Sequence, residues 1–424
     1  MAFSQGFSHS HLDALSEKYG ESFYIFDCDN FLGAYSRLLG AFRERYSNTN
    51  IAYSYKTNYL PRICSLVEKQ GGYAETVSSM EIKLATDLGI EPNRIFYNGP
   101  YKERETISEL LHAGGIVNAD NFSDLNTIIS LAQKMQSQVF RVGLRCNFPI
   151  SDGVRSRFGF DVSGGDLRRA FDLVSKADNV KLSSLHCHFA SRELRSWNLA
   201  TSGMIEVLEG IGKAGRRNLE FVSLGGGLFG DMDPHLANQL NIKPPSFLEY
   251  AEVSAGVFSD YLSRVEQTFR PELLIEPGTA LAANCLKFIA KVYDIKKVEE
   301  KFIATVAGSS FNITPTSREI SLPMKVVCTK ESLKKEGYVD LDIAGYTCIE
   351  QDYLYRGYSG KIGIGDYVIF DSAGSYSIVM KPPFILPNVP IIEIMRDGRS
   401  MELKRQETAS DVFQGYKMKF DLVS

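Results

Sequence analysis

A repeated alternation of apolar, strand-like runs with helical patterns, from residue 51 to residue 276, most constrains the fold of this chain. The strand candidates are residues 51–56, 71–77, 95–98, 115–119, 139–146, 180–189, 220–225 and 272–276. The helix candidates between them carry apolar residues at three-and-four spacing and are residues 61–70, 79–88, 103–113, 122–136, 165–176, 199–214 and 247–268. Eight such alternations predict a parallel, TIM-like (β/α)8 barrel, whose active site lies where the strands end and the following loops begin.

After Ala283 the pattern changes to short strands separated by turn residues. The candidates are residues 286–296, 302–307, 323–328, 338–343, 366–371 and 391–396. We therefore predict two domains: a barrel formed by residues 36–283, and an all-β domain of sandwich or barrel type formed by residues 1–35 and 284–424. The length of 424 residues agrees with two domains, since it exceeds what one ordinary core accommodates.

Charge and composition narrow the classes of ligand and location. A formal net charge of −4 disfavours nucleic acid as a partner, because phosphate binding needs a basic face. The start of the chain shows neither a basic n-region nor an apolar h-region, and no stretch reaches the ~18 apolar residues of a membrane span. The seven cysteines are scattered without a C-x-x-C pair, which disfavours a disulfide framework and a zinc site. We expect a cytoplasmic protein that binds a small molecule and no metal.

Five short stretches, most of them at predicted strand ends, carry residues typical of catalytic sites. They are Tyr53-Ser54-Tyr55-Lys56-Thr57-Asn58, Leu185-His186-Cys187-His188-Phe189-Ala190-Ser191, Gly225-Gly226-Gly227, Glu276-Pro277-Gly278-Thr279 and Gly374-Ser375-Tyr376. Taken singly, each has an ordinary explanation, such as a surface lysine, a hydrogen-bonded core histidine, a tight turn or a solvated loop. The His-x-His pair lacks a further histidine or carboxylate at ligand spacing, which disfavours a metal. Their combination is more specific than any one of them.

In this order and at these separations, the stretches resemble the ornithine/diaminopimelate/arginine decarboxylase family, which uses pyridoxal 5′-phosphate (PLP) on an alanine-racemase-like barrel (fold type III). The resemblance runs over nearly the whole chain and implies a PLP-dependent carboxy-lyase with the same two-domain division. It implies that Lys56 holds the PLP aldehyde, that His188 stacks on the ring and that Glu276 faces the pyridine nitrogen. The residues that it implies for the phosphate are Ser191, Gly225, Gly226, Gly227, Gly278 and Tyr376.

The carboxylate at position 276 favours decarboxylation over racemisation. About 4 Å from the pyridine nitrogen, it would contribute roughly 4 kcal/mol at an effective dielectric of ~20 and so keep the ring protonated. A protonated ring accepts the electrons left when the Cα–CO₂ bond breaks. Alanine racemases on this fold place an arginine there, which weakens that electron sink.

A later stretch, Gly345-Tyr346-Thr347-Cys348-Ile349-Glu350-Gln351-Asp352, resembles the family segment that a partner subunit inserts into the active site. By resemblance, Cys348 protonates Cα after CO₂ leaves, and the protein is a homodimer with shared active sites. A buried free cysteine is the ordinary alternative. Arg157 lies in Ser156-Arg157-Phe158-Gly159-Phe160, which matches another family stretch but has no assigned role here.

Small departures from the family pattern lie beside the expected cofactor site. The family usually has Tyr-Ala-x-Lys-Ala-Asn around the lysine, so Ser54 and Thr57 replace alanines, while the lysine and Asn58 are retained. Ala190 replaces the usual glycine before Ser191 and adds a methyl group there.

Larger departures concern the substrate. Ile349 stands where ornithine and diaminopimelate decarboxylases place an acidic residue for a distal amine, and Thr279 stands where the diaminopimelate type has arginine. Residues 311–316 lack the Arg-Pro stretch of that type, Arg318 lies nearby in an ambiguous register, and residues 380–384 replace a Tyr-Asn stretch. A charged substrate tail would be desolvated without partners. We therefore expect an atypical or conjugated amino acid, carrier-linked forms included, from a specialised pathway such as siderophore or antibiotic biosynthesis.

Three alternative functions stay open. They are diaminopimelate decarboxylase proper, a PLP racemase or epimerase on the same fold, and a non-catalytic regulator that retains the barrel. Glu276 and Cys348 disfavour the racemase, and the joint presence of Lys56, Glu276 and Cys348 disfavours the regulator.

Overall fold

The computed structural model describes residues 6–150, 156–314 and 320–419, and these residues form two compact units. The barrel unit comprises the described residues of Leu32–Asp231 and Lys243–Leu281. The sheet unit comprises the described residues of Met1–Phe31, Met232–Ile242 and Ala282–Ser424. The segment Met232–Ile242 therefore belongs to the sheet unit although barrel residues flank it in the sequence.

Eight parallel strands close into a barrel, which confirms the predicted fold class. In chain order they are Thr49–Ser54, Tyr73–Thr76, Ile95–Tyr97, Ile116–Ala119, Phe140–Asn147, Val180–His186, Phe221–Ser223 and Glu272–Ile275. The last strand pairs in parallel with the first, with Ile275 opposite Ile51, and so closes the ring. A short ninth strand, Phe160–Asp161, pairs only with the end of Phe140–Asn147.

Two strands end before the lysine and histidine that the sequence analysis placed within them. The first ends at Ser54, and Lys56 lies in the single 3₁₀ turn Tyr55–Thr57 that follows. The sixth ends at His186, so His188 lies in the loop beyond it. At the first of these ends the Ser54 N–H donates to Pro277 O at 3.2 Å, which links the turn to the loop after the last strand.

The interior of the barrel is apolar near the strand starts and polar at the carboxyl ends. A buried cluster of Phe96, Ile116, Phe221 and Leu274, with Tyr73 packed against it, fills the end where the strands begin. Several of these aromatic rings meet edge to face, a favourable arrangement. Buried polar residues occupy the opposite end, where a TIM-like barrel places its chemistry: Ser54, Glu75, Asn98, His186, Ser223 and Glu276.

One helix precedes the first barrel strand and the others come after barrel strands, and several begin with strong sequence signals. The helices are Cys28–Arg45, Pro61–Lys69, Ser79–Asp87, Arg104–His112, Phe122–Lys134, Asp166–Ser175, Leu194–Arg216, Phe247–Ala251, Val257–Leu262 and Thr279–Ala282. Ser78 and Asn121 cap their helices by accepting N–H groups from residues three positions on, as such side chains commonly do. Gly212, with φ of 66°, kinks Leu194–Arg216 near its end.

The sheet unit contains a mixed sheet of nine strands. They are Ser22–Phe26, Leu286–Val298, Lys301–Val306, Met324–Val327, Tyr338–Ala344, Tyr353–Gly360, Tyr367–Phe370, Ile391–Ile394 and Ser400–Lys404. The first strand pairs antiparallel with Leu286–Val298 and parallel with Ile391–Ile394, so the start of the chain contributes to this unit. The accompanying helices are His9–Tyr19, Pro234–Gln239, Ser310–Ile313 and Ala409–Phe413.

Two strands of this sheet, Tyr353–Gly360 and Ser400–Lys404, were not predicted from the sequence. Both lie at the ends of the strand order, where a strand pairs on one side only. Edge strands bury few side chains and often carry polar residues, so their apolar periodicity is weak. Within the described residues, no helix combines the length and the apolar character needed to cross a membrane.

Candidate active site

Lys56 lies at the carboxyl end of the first barrel strand, beside a buried carboxylate. Its Nζ donates to Glu75 Oε2 at 2.6 Å and to Ser54 Oγ at 2.7 Å. Ser54 also donates its hydroxyl to the same carboxylate oxygen of Glu75, so three polar groups meet at one point. Ser54 and Glu75 are register partners on adjacent parallel strands, and the sheet itself therefore brings them together.

The charge of Glu75 favours the protonated form of Lys56. Burial alone would lower the pKa of Lys56, but the charge of Glu75 and its hydrogen bond outweigh burial and raise that pKa. Glu276 and Glu81 act in the same direction from farther away. The amine is therefore held as an ammonium at neutral pH until it meets a reaction partner.

Glu276, directly after the last barrel strand, has partners on both carboxylate oxygens. Oε1 accepts from Ser223 Oγ at 2.7 Å and from Asn98 Nδ2 at 3.2 Å, and Oε2 lies 3.1 Å from His186 Nε2. Burial would raise the pKa of Glu276, but the charge and hydrogen bond of His186, together with the charge of Lys56, lower it. The side chain is thus an ionised carboxylate in a buried setting.

His188 contacts the glycine loop and stays uncharged. The Gly226 N–H donates to its Nδ1 at 2.9 Å. Burial, with the neighbouring charge of Lys56, lowers the pKa of His188 to about 3. A neutral imidazole has a ring face that can pack against another flat ring without placing a cation there.

The Gly225-Gly226-Gly227 loop passes between the ends of two neighbouring strands with no room for side chains. A Cβ on Gly225 would lie 2.4 Å from Cys187 O, one on Gly226 would lie 2.4 Å from Glu276 O, and one on Gly227 would lie 2.7 Å from Ser191 O. Gly225 and Gly227 also adopt φ values of 71° and 95°, which favour glycine. The loop is therefore held against the residues that contribute His188, Ser191 and Glu276.

Ser191 lies beside this glycine loop, and Gly278 lies beside the turn Tyr55–Thr57 that carries Lys56. Ser191 Oγ donates to Ser196 Oγ at 2.9 Å at the start of a long helix. A Cβ on Gly278 would lie 2.0 Å from Thr57 Oγ1, so the glycine leaves the space that the threonine side chain fills. The departure at Thr57 is thus accommodated by the glycine of the Glu-Pro-Gly stretch.

Two expected site residues, Cys348 and Tyr376, belong to the sheet unit. Cys348 is exposed, unlike the buried cysteine of the ordinary alternative. Its loop is held by the buried Asp352, which accepts from Ser310 N at 2.7 Å and from Thr347 Oγ1 at 2.6 Å. Tyr376 has φ of 62°, an uncommon left-handed conformation for a non-glycine residue.

Among the residues considered for specificity, Ile349 is half-buried in the Cys348 loop. Arg318 lies outside the described residues. Arg157 packs its guanidinium over the Phe158 ring, 4.2 Å from the ring centre, and Arg145 packs over the same ring.

Five residues of this constellation were missed by sequence reasoning: Glu75, Glu81, Asn98, His186 and Ser223. A polar residue at or just after the end of a barrel strand was the available signal for Glu75, Asn98, His186 and Ser223. Glu81 gave no such signal, since it lies on a helix. It is buried, and burial raises its pKa to about 7.

The donor set fits PLP, and it does not resemble a metal centre. An amine suits the PLP aldehyde, and an ionised carboxylate suits its pyridine nitrogen. A neutral imidazole suits the ring face, and a glycine turn suits the phosphate. In the part of the chain that the structure describes, no group of three or more His, Cys, Asp or Glu side chains could hold a metal ion. His186 and His188 instead contact Glu276 and Gly226.

Comparison with known proteins agrees with this chemistry. Residues 32–283 match the family model described as the pyridoxal-dependent decarboxylase, pyridoxal binding domain. The chain is 25% identical over 414 residues to a diaminopimelate decarboxylase of Methanothermobacter thermautotrophicus, covering 95% of this chain and 92% of the relative. It is 26% identical over 432 residues to an L-glutamyl-(BtrI acyl-carrier protein) decarboxylase of Niallia circulans, covering 95% of each.

The same fold occurs in the crystal structure of diaminopimelate decarboxylase from Methanocaldococcus jannaschii. That structure superposes with a TM-score of 0.84 at 23% identity, covering 96% of this chain and 94% of the other. The family model, which matches more than half of the chain, establishes the relationship and with it the predicted cofactor and reaction class. The chain belongs to the pyridoxal-dependent decarboxylase family, and it is a carboxy-lyase of amino acids that uses pyridoxal 5′-phosphate.

Proposed function

We propose that this enzyme decarboxylates an atypical or conjugated amino acid, with Lys56, His188 and Glu276 at the cofactor and Cys348 as the proton donor. The observation that carries the cofactor assignment is the pairing of the half-buried Lys56 with the buried Glu75, and of the buried Glu276 with the buried His186. When bound, PLP supplies an aldehyde that captures amines and a ring that accepts the electron pair released with CO₂.

The amine of Lys56 must lose a proton before it attacks an aldehyde, and the Glu75 carboxylate is a base within reach of that proton. Glu75 Oε2 and Ser54 Oγ lie within hydrogen-bond distance of Nζ. A proton given up by Lys56 therefore passes over one hydrogen bond to the Glu75 carboxylate, which becomes a neutral acid, while the Ser54 hydroxyl stays hydrogen-bonded to the same group.

Around the expected ring position, Glu276 is negatively charged and His188 is uncharged. The lowered pKa of Glu276 keeps a negative charge available for a protonated ring nitrogen. The lowered pKa of His188 keeps its ring neutral, so this residue adds no further positive charge beside that carboxylate. The phosphate would lie at the glycine loop, with Ser191, Gly278 and Tyr376 as further donors.

Cys348 would act on a partner chain, in a homodimer with shared active sites. The exposed thiol, held on a loop that Asp352 organises, supports this role. After CO₂ departs, the thiol would give its proton to the substrate Cα, and the carboxyl group would thereby be replaced by hydrogen.

The substrate proposal depends on the residues that replace charged family positions. Half-buried Ile349 offers no charge to a distal amine, so a substrate with an uncharged or covalently linked side chain fits better than ornithine or diaminopimelate. The similarity to a decarboxylase named for a glutamyl group on an acyl-carrier protein supports a carrier-linked side chain.

A substrate panel tests this proposal. Purified enzyme with PLP would be given meso-diaminopimelate, L-ornithine, L-arginine, free L-glutamate and the γ-glutamyl thioester of pantetheine, and loss of CO₂ would be followed by mass spectrometry. We expect faster turnover of the thioester than of any charged free amino acid, and none by the Lys56→Ala variant. Fastest turnover of meso-diaminopimelate would refute the proposal and favour the second candidate, diaminopimelate decarboxylation, which the names of several relatives support.

Mixing two inactive variants tests the shared site. If each site takes Lys56 from one chain and Cys348 from the other, random exchange of equal amounts of Lys56→Ala and Cys348→Ala makes half of the dimers mixed. Each mixed dimer has one intact site out of two, so the mixture should show about a quarter of wild-type activity. Mixtures that remain inactive after verified subunit exchange would show that both residues act within one chain.

A further inference from the structure

Asn98 connects the two buried carboxylates of the active site. It follows the strand Ile95–Tyr97 and is itself buried. Its Nδ2 donates to Glu75 Oε1 at 3.1 Å and to Glu276 Oε1 at 3.2 Å. An amide nitrogen has two N–H groups, so both are used, one for each carboxylate.

The orientation of this amide is fixed by its neighbour. Asn118 Nδ2 donates to Asn98 Oδ1 at 2.7 Å, and a flipped Asn98 amide would turn its oxygen toward both carboxylates. Asn118 is positioned in turn by Gly143, where a Cβ would lie only 1.7 Å from Asn118 Oδ1. Gly143 and Asn118 therefore determine which atoms Asn98 directs at Glu75 and Glu276.

The bridge has a physical purpose because Glu75 and Glu276 carry like charges in a buried site. Without the amide, the two carboxylates would lose the hydrogen-bond donor that they share, and Glu276 Oε1 would keep only Ser223 as a partner. The carboxylate of Glu276 could then move away from the position that a ring nitrogen requires.

We propose that Asn98 is a positioning residue that fixes Glu276 for the cofactor ring and couples it to the Lys56–Glu75 pair. This inference rests on the proposed placement of the ring nitrogen at Glu276. Replacing Asn98 should therefore weaken binding of a cofactor that has a ring nitrogen. Binding of a cofactor that lacks the ring nitrogen should not change.

The test compares PLP with 1-deazapyridoxal 5′-phosphate, in which carbon replaces the ring nitrogen. Binding to the apoprotein would be followed by fluorescence of Trp197, the single tryptophan, whose Nε1 donates to Gly227 O at 2.9 Å in the glycine loop. We expect wild type to prefer PLP and Asn98→Ala to lose about tenfold of that preference, the scale of one charge-assisted hydrogen bond. Asn118→Ala, which frees the amide to flip, should lose part of it.

Asn50→Ala is the matched control. Asn50 is also a buried asparagine that donates to a carboxylate, Glu272 Oε1 at 3.0 Å, but it lies near the start of its strand. It should retain the wild-type preference even if stability falls. If the wild-type protein bound PLP and the deaza analogue with equal affinity, the placement of the ring nitrogen at Glu276 would be overturned. If the wild-type protein preferred PLP and both Asn98→Ala and Asn118→Ala kept that preference, only the role of Asn98 would be overturned.

Discussion

Lys56 and Glu75 form an ion pair at the carboxyl end of the barrel, with Nζ 2.6 Å from Oε2 and the carboxylate almost fully buried. The pair ties the expected cofactor lysine to an acidic residue on the next strand. Its effect on the lysine can be measured directly.

Replacing Glu75 with glutamine should let Lys56 react at lower pH. The charge of Glu75 raises the pKa of Lys56, and only the neutral amine attacks an aldehyde, so removing that charge lowers the pH needed for reaction. The rate at which apoprotein captures PLP, followed by Trp197 fluorescence across pH, should reach half its maximum at lower pH in Glu75→Gln than in wild type. Glu272→Gln, at the opposite end of the barrel, is the control, and an unshifted Glu75→Gln profile would contradict this account.

Ser54→Ala should weaken the fold modestly without disrupting it. The hydroxyl donates to Glu75 and accepts from Lys56, and a hydrogen bond to a charged group contributes about 1.5–3 kcal/mol. Because the family pattern that this stretch resembles has alanine there, the backbone should tolerate the change. Urea unfolding of the apoprotein gives the loss. Ser183→Ala is the control, since its buried hydroxyl makes only a 3.5 Å contact to Lys181 O, and equal losses in both variants would show that the charged partners contribute nothing.

His188 should make the apoprotein less stable in mild acid. The unfolded chain takes up a proton on this histidine below pH 6.5, whereas the folded protein does so only near pH 3, so stability falls with pH across that interval. His188→Phe keeps a ring face but cannot take up this proton. Its free energy of unfolding should therefore fall by up to about 2 kcal/mol less than that of wild type between pH 7 and pH 5. Urea unfolding at both values measures this. The exposed His112 gives the control variant His112→Phe, and a His188→Phe slope equal to that of wild type would rule the effect out.

Gly226→Ala should displace the loop that follows the last strand. The new methyl group would lie 2.4 Å from Glu276 O, and overpacking of this kind costs about 1–3 kcal/mol. We expect lower stability together with weaker PLP binding, because the displaced residue carries the expected ring partner. Gly210→Ala, at a helical position with open space around it, should leave PLP binding unchanged and raise stability by about 0.4–1 kcal/mol. Normal PLP affinity in Gly226→Ala would show that the loop tolerates a side chain.

The sequence was sufficient for the barrel and for the residues that stand alone in distinctive stretches. Strand–helix alternation predicted all eight barrel strands, and Lys56, His188 and Glu276 follow strands that end at one edge. Glu75 and Asn98 could not be assigned in the same way, because their significance comes from partners 19 to 178 positions away in sequence. Ser54 looked like a mild change from alanine, and only the register with Glu75 shows what its hydroxyl contacts.

The aromatic cluster where the barrel strands begin limits how molecules can move along the barrel axis. Tyr73, Phe96 and Phe221 close that end with interlocking rings, and Arg94 and Arg141 cover two of these rings. Among the described residues, these rings fill the barrel axis at the strand starts. A molecule travelling along that axis would therefore have to enter and leave at the carboxyl ends of the strands, where Lys56 and Glu276 lie.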